Sequence, residues 1–474
     1  MKVTSKEILN GPAGPVLVRM TLPMILGISV MILFQAVDTF FVSLLGTAEL
    51  AAISFTFPVT YTISNLGVGF GIGVSILLAR VIGREQMQKA RYISRDTLLL
   101  CALIMVIIAV IGLASVDPLF RLLGATDETL PFVHDYMDVW YLSFGMMLML
   151  IVGNGILRAK GDMRLPSMLL IISSLSNAVL DPILIFGLGP VPAMGVRGAA
   201  IATAIAWSIS FMGSIWIMRV REEILEFSLP EPGGMLQFWR ELCKVSLPIS
   251  ITNMLNPIAA IVMTALIARY GEYAVAGLGA GSRIEAIAMV VCIALTSALS
   301  PYLAQNLGAD KIDRARRALR ISLCFAFLFQ LGLYPVIVLT SPWLAGIFSH
   351  DPAVIKVTET FLWIMPAGFA FYSVLIVMNT GFNAAHQSHK TLLACLIRLF
   401  LCYAPGVWLG GHWFGIHGLF FGAVAGNGLG AAIAWRMLNR TYASLEKHTV
   451  DESGLDDFEI RKIDEVQLKA AQVD

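Results

Sequence analysis

The sequence predicts an all-α integral membrane protein whose twelve transmembrane helices form two six-helix lobes related by a pseudo-twofold axis. Of its 474 residues, 57% are hydrophobic and 14% are charged, whereas soluble domains average about 45–50% apolar and about 25% charged residues. The charges are confined to short runs between long apolar stretches, a pattern typical of a chain that crosses the bilayer many times. The two halves of the sequence also repeat at a constant spacing.

Each long apolar stretch is predicted to form one membrane-spanning helix, because crossing the bilayer requires about 20 mostly apolar residues. The first stretch is too long for the apolar core of a signal peptide and lacks a convincing cleavage site, so we expect it to remain as a membrane helix. The predicted spans are 16–44, 51–79, 94–115, 132–153, 166–187, 195–218, 242–268, 275–303, 318–340, 356–381, 391–413 and 416–437.

Lysine and arginine residues predict the orientation of these spans, since short loops rich in them stay in the cytoplasm. The loops after predicted spans 2, 4, 6 and 8 are rich in both residues, and the loops on the other side carry few. We therefore expect a multi-pass protein of the inner (plasma) membrane with both termini in the cytoplasm. The expected divisions are a first lobe at 1–218, a cytoplasmic linker at 219–241, a second lobe at 242–439 and a charged cytoplasmic tail at 440–474.

An internal repeat relates the two lobes. LVRMTLP at 17–23 corresponds to LCKVSLP at 242–248, and at the same spacing of 225 residues Gly83 corresponds to Gly308. Six spans separate equivalent points, so the two copies share one orientation and are related by an axis along the membrane normal. The cavity between the lobes is the expected binding site.

Acidic residues inside the predicted spans indicate where a driving ion binds, because an ionisable group in the bilayer costs about 2.5–3.5 kcal/mol. Asp38 lies in predicted span 1 and Asp181 in predicted span 5, where Asn177 shares its helical face. The second lobe has no acid at either matching position. Its Glu285 is expected to pair locally with Arg283. The first lobe is therefore predicted to hold the ion site.

Two alternatives stay open for these acids. Asp38 could lie near the outer end of its helix, in contact with water. Asp181 and Pro182 could instead begin a helix, since Asp suits the N-cap and Pro the first helical position. In the favoured interpretation, Asp38, Asn177 and Asp181 bind the driving ion, which is either H⁺ or Na⁺. We expect H⁺, because a hard cation such as Na⁺ needs several oxygen ligands.

Pro23 in predicted span 1 is matched by Pro248 in predicted span 7. A proline removes one backbone hydrogen bond and kinks a membrane helix. The kink could be static, or Pro23 could act as a hinge at which the helix bends when Asp38 takes up a proton. Because the second lobe lacks the acid, Pro248 is expected to be structural.

These features resemble the multidrug and toxic compound extrusion (MATE) family over about residues 15–437. FQAVDTFFVSLLG at 34–46, LRAKGDMRLP at 157–166 and SNAVLDPILIFGLG at 176–189 resemble its prokaryotic branch of the DNA-damage-inducible protein F type. The resemblance implies the same ion cluster of Asp38, Asn177 and Asp181, to which it adds Asn154 and Thr203. Some members carry an aromatic hydroxyl one turn before the first acid, where this chain has Phe34.

The predicted function is a secondary active multidrug efflux antiporter, exporting cationic or amphipathic drugs in exchange for H⁺ or Na⁺ by alternating access. The alternative is a flippase for lipid-linked precursors, which would be expected to have a more cationic central cavity. The sequence contains no Walker motif and no Ser/His/Asp or HExxH constellation within or beside the spans, so neither direct ATP drive nor an enzyme is expected. We expect no cofactor and no nucleic-acid partner, and a monomer surrounded by lipid.

Overall fold

Long helices account for most of the computed structural model, which describes residues 3–188, 191–226 and 232–450. The first half forms α1 (Ser5–Asn10), α2 (Ala13–Ser43), α3 (Thr47–Gly83), α4 (Met87–Leu122), α5 (Leu130–Ala159), α6 (Arg164–Phe186) and α7 (Gly195–Trp216), which continues as a π-helical turn at Ile217–Arg221. The second half forms α8 (Pro232–Ile267), a 3-10 turn at Ala268–Tyr270, α9 (Glu272–Gly308), α10 (Ile312–Phe348), α11 (Pro352–Ala384), α12 (Ser388–Leu396), a π-helical segment at Ile397–Tyr403 and α13 (Ala404–Val450).

Eleven helical segments of the described chain are long and apolar enough to cross a membrane, and the last of them holds two predicted spans. This last segment runs from Ser388 to Glu446. It is interrupted at Gly415, whose φ of 63° and ψ of −146° are not helical. A positive φ of this kind strains any residue with a side chain, so glycine allows the chain to turn there. The predicted boundary between spans 11 and 12 falls at this break, which accounts for the twelfth span.

Several helices extend beyond the predicted spans. Helix α4 covers Met87–Leu122 where 94–115 was predicted, and α8 begins at Pro232, inside the predicted linker. Hydropathy marks only the part of a helix that lies in hydrocarbon, whereas backbone hydrogen bonds continue into the polar region. Near the start of α8, the Trp239 indole N–H donates to the Asp96 carbonyl at 2.8 Å, which fixes α8 against α4.

The described part of the predicted linker is held against the first lobe by ion pairs. Glu222 is buried, and its carboxylate pairs with Lys160 at 2.9 Å. Arg91 of α4 contacts the Glu223 carboxylate at 3.8 Å and also donates to the Glu223 carbonyl at 2.9 Å. Most of the predicted tail, residues 451–474, lies outside the described residues, and its beginning is the end of α13.

A short N-terminal helix was not predicted. Thr4 caps α1, and Glu7 completes a capping box with the Thr4 backbone, a signal that the sequence contains as T-x-x-E. The fully buried Ile8 anchors this helix. Arg314 and Asn306 of the second lobe donate to the Ile8 carbonyl, so α1 closes against the end of the molecule that carries the basic loops.

The two lobes meet at this basic end through a reciprocal pair of contacts. A Cβ atom built on Gly83 would lie 2.2 Å from the Gln305 carbonyl oxygen, and one built on Gly308 would lie 2.2 Å from the Arg80 carbonyl oxygen. Arg80 and Gln305, like Gly83 and Gly308, are 225 residues apart. The two contacts are therefore symmetry mates of each other, as the predicted pseudo-twofold axis requires. Only glycine permits so close an approach of the two backbones at either position.

We predict that Gly83→Val and Gly308→Val each force the lobes apart at the basic end, because overpacking a tight contact costs about 1–3 kcal/mol. Distances between spin labels placed across this end should lengthen in both variants. Gly332→Val is the control, since no atom lies within 4 Å of a Cβ built on Gly332. Unchanged distances in both variants would contradict the prediction.

Candidate functional site

Asp181 is the most enclosed acid of the predicted cluster, with no solvent-exposed surface. It lies inside α6, which continues without a break through Pro182 to Phe186. The alternative in which Asp181 caps a new helix is therefore wrong. The helix ends instead at Gly187, which takes the left-handed conformation with a φ of 74°.

A hydrogen-bonded chain connects α6 to α7 at this acid. The side-chain N–H group of Asn177 donates to Asp181 Oδ1 at 3.0 Å and to Thr203 Oγ1 at 3.2 Å. The four-residue spacing of Asn177 and Asp181 produces the first bond within one helical face. The other carboxyl oxygen of Asp181 is buried and has no hydrogen-bond partner.

Asp38 of α2 lies close to Asp181, so the two carboxyl groups act on each other electrostatically. Asp38 is partly exposed and lies five residues before α2 ends at Ser43, so it resembles the hydrated alternative more than a deeply enclosed group. Two adjacent carboxylates repel each other, and a proton or a small cation shared between them removes that repulsion. The arrangement is therefore suited to binding and releasing a cation from the water-accessible side.

Tyr136 of α5 is a member of the cluster that the sequence did not reveal. It lies within electrostatic range of both Asp38 and Asp181. A phenol thus lies near the acids although position 34 supplies none. A single tyrosine within a predicted span gives no signal of its own, and only the packing of α5 against the neighbouring helices brings Tyr136 near the acids.

Asn154 lies apart from Tyr136 on the same helix. It lies on α5, 18 residues after Tyr136, which corresponds to about 27 Å along a helix. Its side-chain oxygen is buried without a hydrogen-bond partner, as is that of Asn379, its match at the repeat spacing of 225 residues. The hydrogen bonds of the described residues do not join Asn154 to the acids, so its membership of the cluster stays a prediction from the resemblance.

Pro23 packs against the helix that carries the cluster. The Ser167 hydroxyl of α6 donates to the Pro23 carbonyl, and a Cβ atom on Gly27 would lie 2.7 Å from the Ser167 hydroxyl oxygen. Helix α2 remains continuous through Pro23 in this structure. The geometry therefore couples any bend at Pro23 to α6, which holds Asn177 and Asp181.

The second lobe differs from the sequence prediction. Glu285 does not pair with Arg283, which is exposed; within the described residues the charge that acts on Glu285 is Arg398. Arg398 is 3% exposed and lies inside predicted span 11. The sequence contains a signal for it, since a lone arginine stands in the apolar stretch CLIRLFLCY at 395–403.

Comparison with known proteins places the chain among transporters. The sequence profile of the MatE family matches residues 23–183 and 248–409, two segments whose starts are 225 residues apart. The chain is 37% identical to the FAD transporter of Shewanella oneidensis over 444 residues, covering 94% of this chain and 98% of that protein. It is 26% identical to the multidrug export protein MepA of Staphylococcus haemolyticus, covering 94% and 96% of the two chains.

The fold is also that of a solved transporter. The structure of the MATE transporter VcmN of Vibrio cholerae in its bent form superposes with a TM-score of 0.85 at 29% identity. The alignment covers 93% of this chain and 98% of that one. Together with the apolar helices, these similarities show a multi-pass membrane protein built on this fold.

We predict that Asn177→Ala destabilises the first lobe more than Thr203→Val does. The first change removes the only hydrogen-bond donor that the described structure gives the Asp181 carboxylate, which costs about 1–3 kcal/mol, whereas the second removes one bond between neutral groups, about 0.5–1.5 kcal/mol. Thermal unfolding in detergent measures both. Ser208→Ala on α7 is the control, because among the described residues the Ser208 hydroxyl donates only to the Ala204 carbonyl of its own helix. Equal shifts for Asn177→Ala and the control would contradict this account.

Proposed function

Because this chain belongs to the MatE family of membrane transporters, we propose that it is a secondary active exporter of small organic molecules, driven by a cation that enters through the first lobe. It would work by alternating access, without a cofactor and as a monomer. The observation that carries the proposal is the cluster of Asp38, Asn177, Asp181 and Thr203. Its two adjacent acids have no counterpart at the matching positions of the second lobe. A repeat fold does not need this asymmetry, so a function that binds cations in one lobe is its best explanation.

We favour H⁺ over Na⁺ as the coupling ion. Asn177 directs its N–H group, and not its amide oxygen, toward Asp181 and Thr203. The remaining oxygen ligands are two carboxylates and one hydroxyl, fewer than the six or so that hard cations usually take in proteins. A proton needs only one carboxyl group and a partner for the neutral form.

The conformational cycle is proposed from the contacts between the lobes. We infer that the basic end faces the cytoplasm of the inner membrane, with both termini there. The reciprocal contacts of Gly83 and Gly308 then close the cytoplasmic side, so this structure corresponds to a state that opens outward. Protonation of Asp38 would bend α2 at Pro23 and, through Ser167, shift α6. The division into lobes at 1–218 and 242–439, joined by the linker at 219–241, belongs to this proposal.

Two substrate classes are proposed. Cationic or amphipathic drugs are the first, supported by similarity to MepA proteins and by the acids of the first lobe. A flavin nucleotide is the second, supported by the higher identity to the FAD transporter and by the buried arginine of the second lobe. A flippase for lipid-linked precursors is the alternative. It would be expected to have a more cationic cavity, and Arg398 is a buried cation within the helices of the second lobe.

We predict that Asp38→Asn expresses and folds normally but abolishes coupled efflux. Asparagine keeps the size and polarity of the side chain and cannot carry a proton or a charge. Efflux of ethidium and of FAD from cells measures transport, and detergent gel filtration measures folding. Glu272→Gln is the matched control, because it neutralises an exposed acid at the start of α9 in the other lobe. Wild-type efflux by Asp38→Asn would refute the assigned site.

We predict that the purified protein in liposomes transports substrate in response to an imposed pH gradient and does not require a Na⁺ gradient. Dissipating the pH gradient with nigericin should abolish transport while an imposed Na⁺ gradient persists. The same liposomes, loaded with ethidium, FAD or a fluorescent lipid-linked precursor, separate the three substrate classes. Transport that follows Na⁺ and ignores pH would show the choice of ion to be wrong.

A further inference from the structure

Arg398 is a buried charge with no ion pair in the described part of the chain. It is 3% exposed, and the acid with which it interacts electrostatically, Glu285, forms no salt bridge with it among the described residues. Its guanidinium donates to Asn427 Oδ1 at 3.0 Å, and its Nε is buried without a hydrogen-bond partner. A buried cation that lacks a carboxylate partner costs several kcal/mol. Such a group in a membrane lobe is expected to have a function.

The fold makes room for this arginine. A Cβ atom built on Gly430 of α13 would lie 2.6 Å from Arg398 Cγ, so glycine allows the side chain to pass that helix. Arg398 also lies in the π-helical segment Ile397–Tyr403, and π-helical turns within membrane or globular helices are frequent at functional sites. This segment belongs to predicted span 11, the repeat counterpart of the α6 helix that carries Asp181.

Aromatic side chains surround the guanidinium. Its central carbon lies 5.4 Å from the centre of the Tyr372 ring and 5.9 Å from that of Tyr403. Both tyrosines interact electrostatically with Glu285, and Tyr372 does so with Tyr61 of the first lobe. The two tyrosines lie on α11 and in the π-helical segment of the second lobe, and α11 also touches α3 of the first lobe.

This combination suits one class of ligand. A guanidinium presents a planar fork of donors that matches a phosphate or carboxylate in two parallel hydrogen bonds. Tyrosine rings offer flat apolar surfaces on which a heteroaromatic ring can stack. An acid close to the arginine but not bonded to it can balance its charge when no anion is bound. The first lobe, in contrast, presents two acids and repels anions.

We propose that Arg398, Tyr372, Tyr403 and Asn427 form a recognition site for the anionic group of a planar aromatic substrate, and that Glu285 competes with that group for Arg398. The inference rests on the proposed export function and names the substrate class that the second lobe selects. Substrate recognition is thereby assigned to the second lobe and ion coupling to the first.

The test measures equilibrium binding to the purified full-length protein in detergent, using flavin fluorescence polarisation. Riboflavin and FMN share one ring system and differ by a phosphate. The wild-type protein should bind FMN more tightly than riboflavin. In Arg398→Gln, FMN affinity should fall about tenfold or more, as expected for a lost buried charge contact, while riboflavin affinity stays within about twofold. Arg398→Lys keeps the positive charge but loses the planar fork of donors, so its FMN affinity should lie between those of the wild type and Arg398→Gln.

Two further variants distinguish recognition from a structural role. Glu285→Gln should leave FMN affinity unchanged or raise it, because it removes the competitor; a fall would overturn the proposal. Arg436→Gln, at an exposed arginine of α13, is the charge control and should bind FMN normally. Equal losses of FMN and riboflavin binding in Arg398→Gln, or no FMN binding by the wild type, would also overturn the proposal.

Two last measurements distinguish a lipid headgroup from a soluble substrate as the source of the anion, and distinguish failure of the recognition site from failure of the export function. Phosphatidylglycerol added to phosphatidylcholine nanodiscs should not displace FMN; displacement that requires Arg398 would assign the site to a lipid headgroup and overturn the substrate class. Asp38→Asn should bind FMN normally and fail to transport it. If the wild type binds FMN through Arg398 but exports neither dye nor flavin, the export function fails and the recognition site stands.

Discussion

The cost of keeping a charged group away from water is the constraint on which the rest of this structure depends. It requires that the helices satisfy their own backbone within lipid, and it confines most charges to the loops. The few charges that remain inside must be held by specific neighbours. In the first lobe, Asp181 is held by Asn177, whose N–H group also reaches Thr203. In the second lobe, Arg398 is held by Asn427 and two tyrosine rings.

The two lobes therefore share a symmetric backbone arrangement, the frame, but carry different charged side chains. The frame is visible in the reciprocal contacts of Gly83 with Gln305 and of Gly308 with Arg80, where the same backbone geometry occurs twice. The chemistry is not repeated: span 5 carries an acid and its counterpart, span 11, carries an arginine. Opposite charges in equivalent helices fit the proposal that one lobe binds a cation and the other an anionic group.

The asymmetry also suggests how the two lobes communicate. Helix α2 belongs to the first lobe, carries Asp38 and packs through Pro23 on Ser167 of the helix that holds Asp181. The N-terminal α1 precedes it and is fastened to the second lobe by Arg314 and Asn306. Helix α2 is thus in contact with α6 on one side and, through α1, with the basic end on the other. The chain connects the proposed ion site to the contact between the lobes.

The sequence by itself determined the number of spans, the repeat and the acids, because hydropathy, a constant spacing and a lone Asp in an apolar stretch are local signals. It also paired Asn177 with Asp181, since four residues along a helix define one face. Only the tertiary structure decided that Tyr136 of α5 lies near the acids, that the Asn177 amide also reaches Thr203 of α7, and that Glu285 responds to Arg398 and not to Arg283. These outcomes depend on which helices pack together and at what depth, and one chain's residue pattern fixes neither.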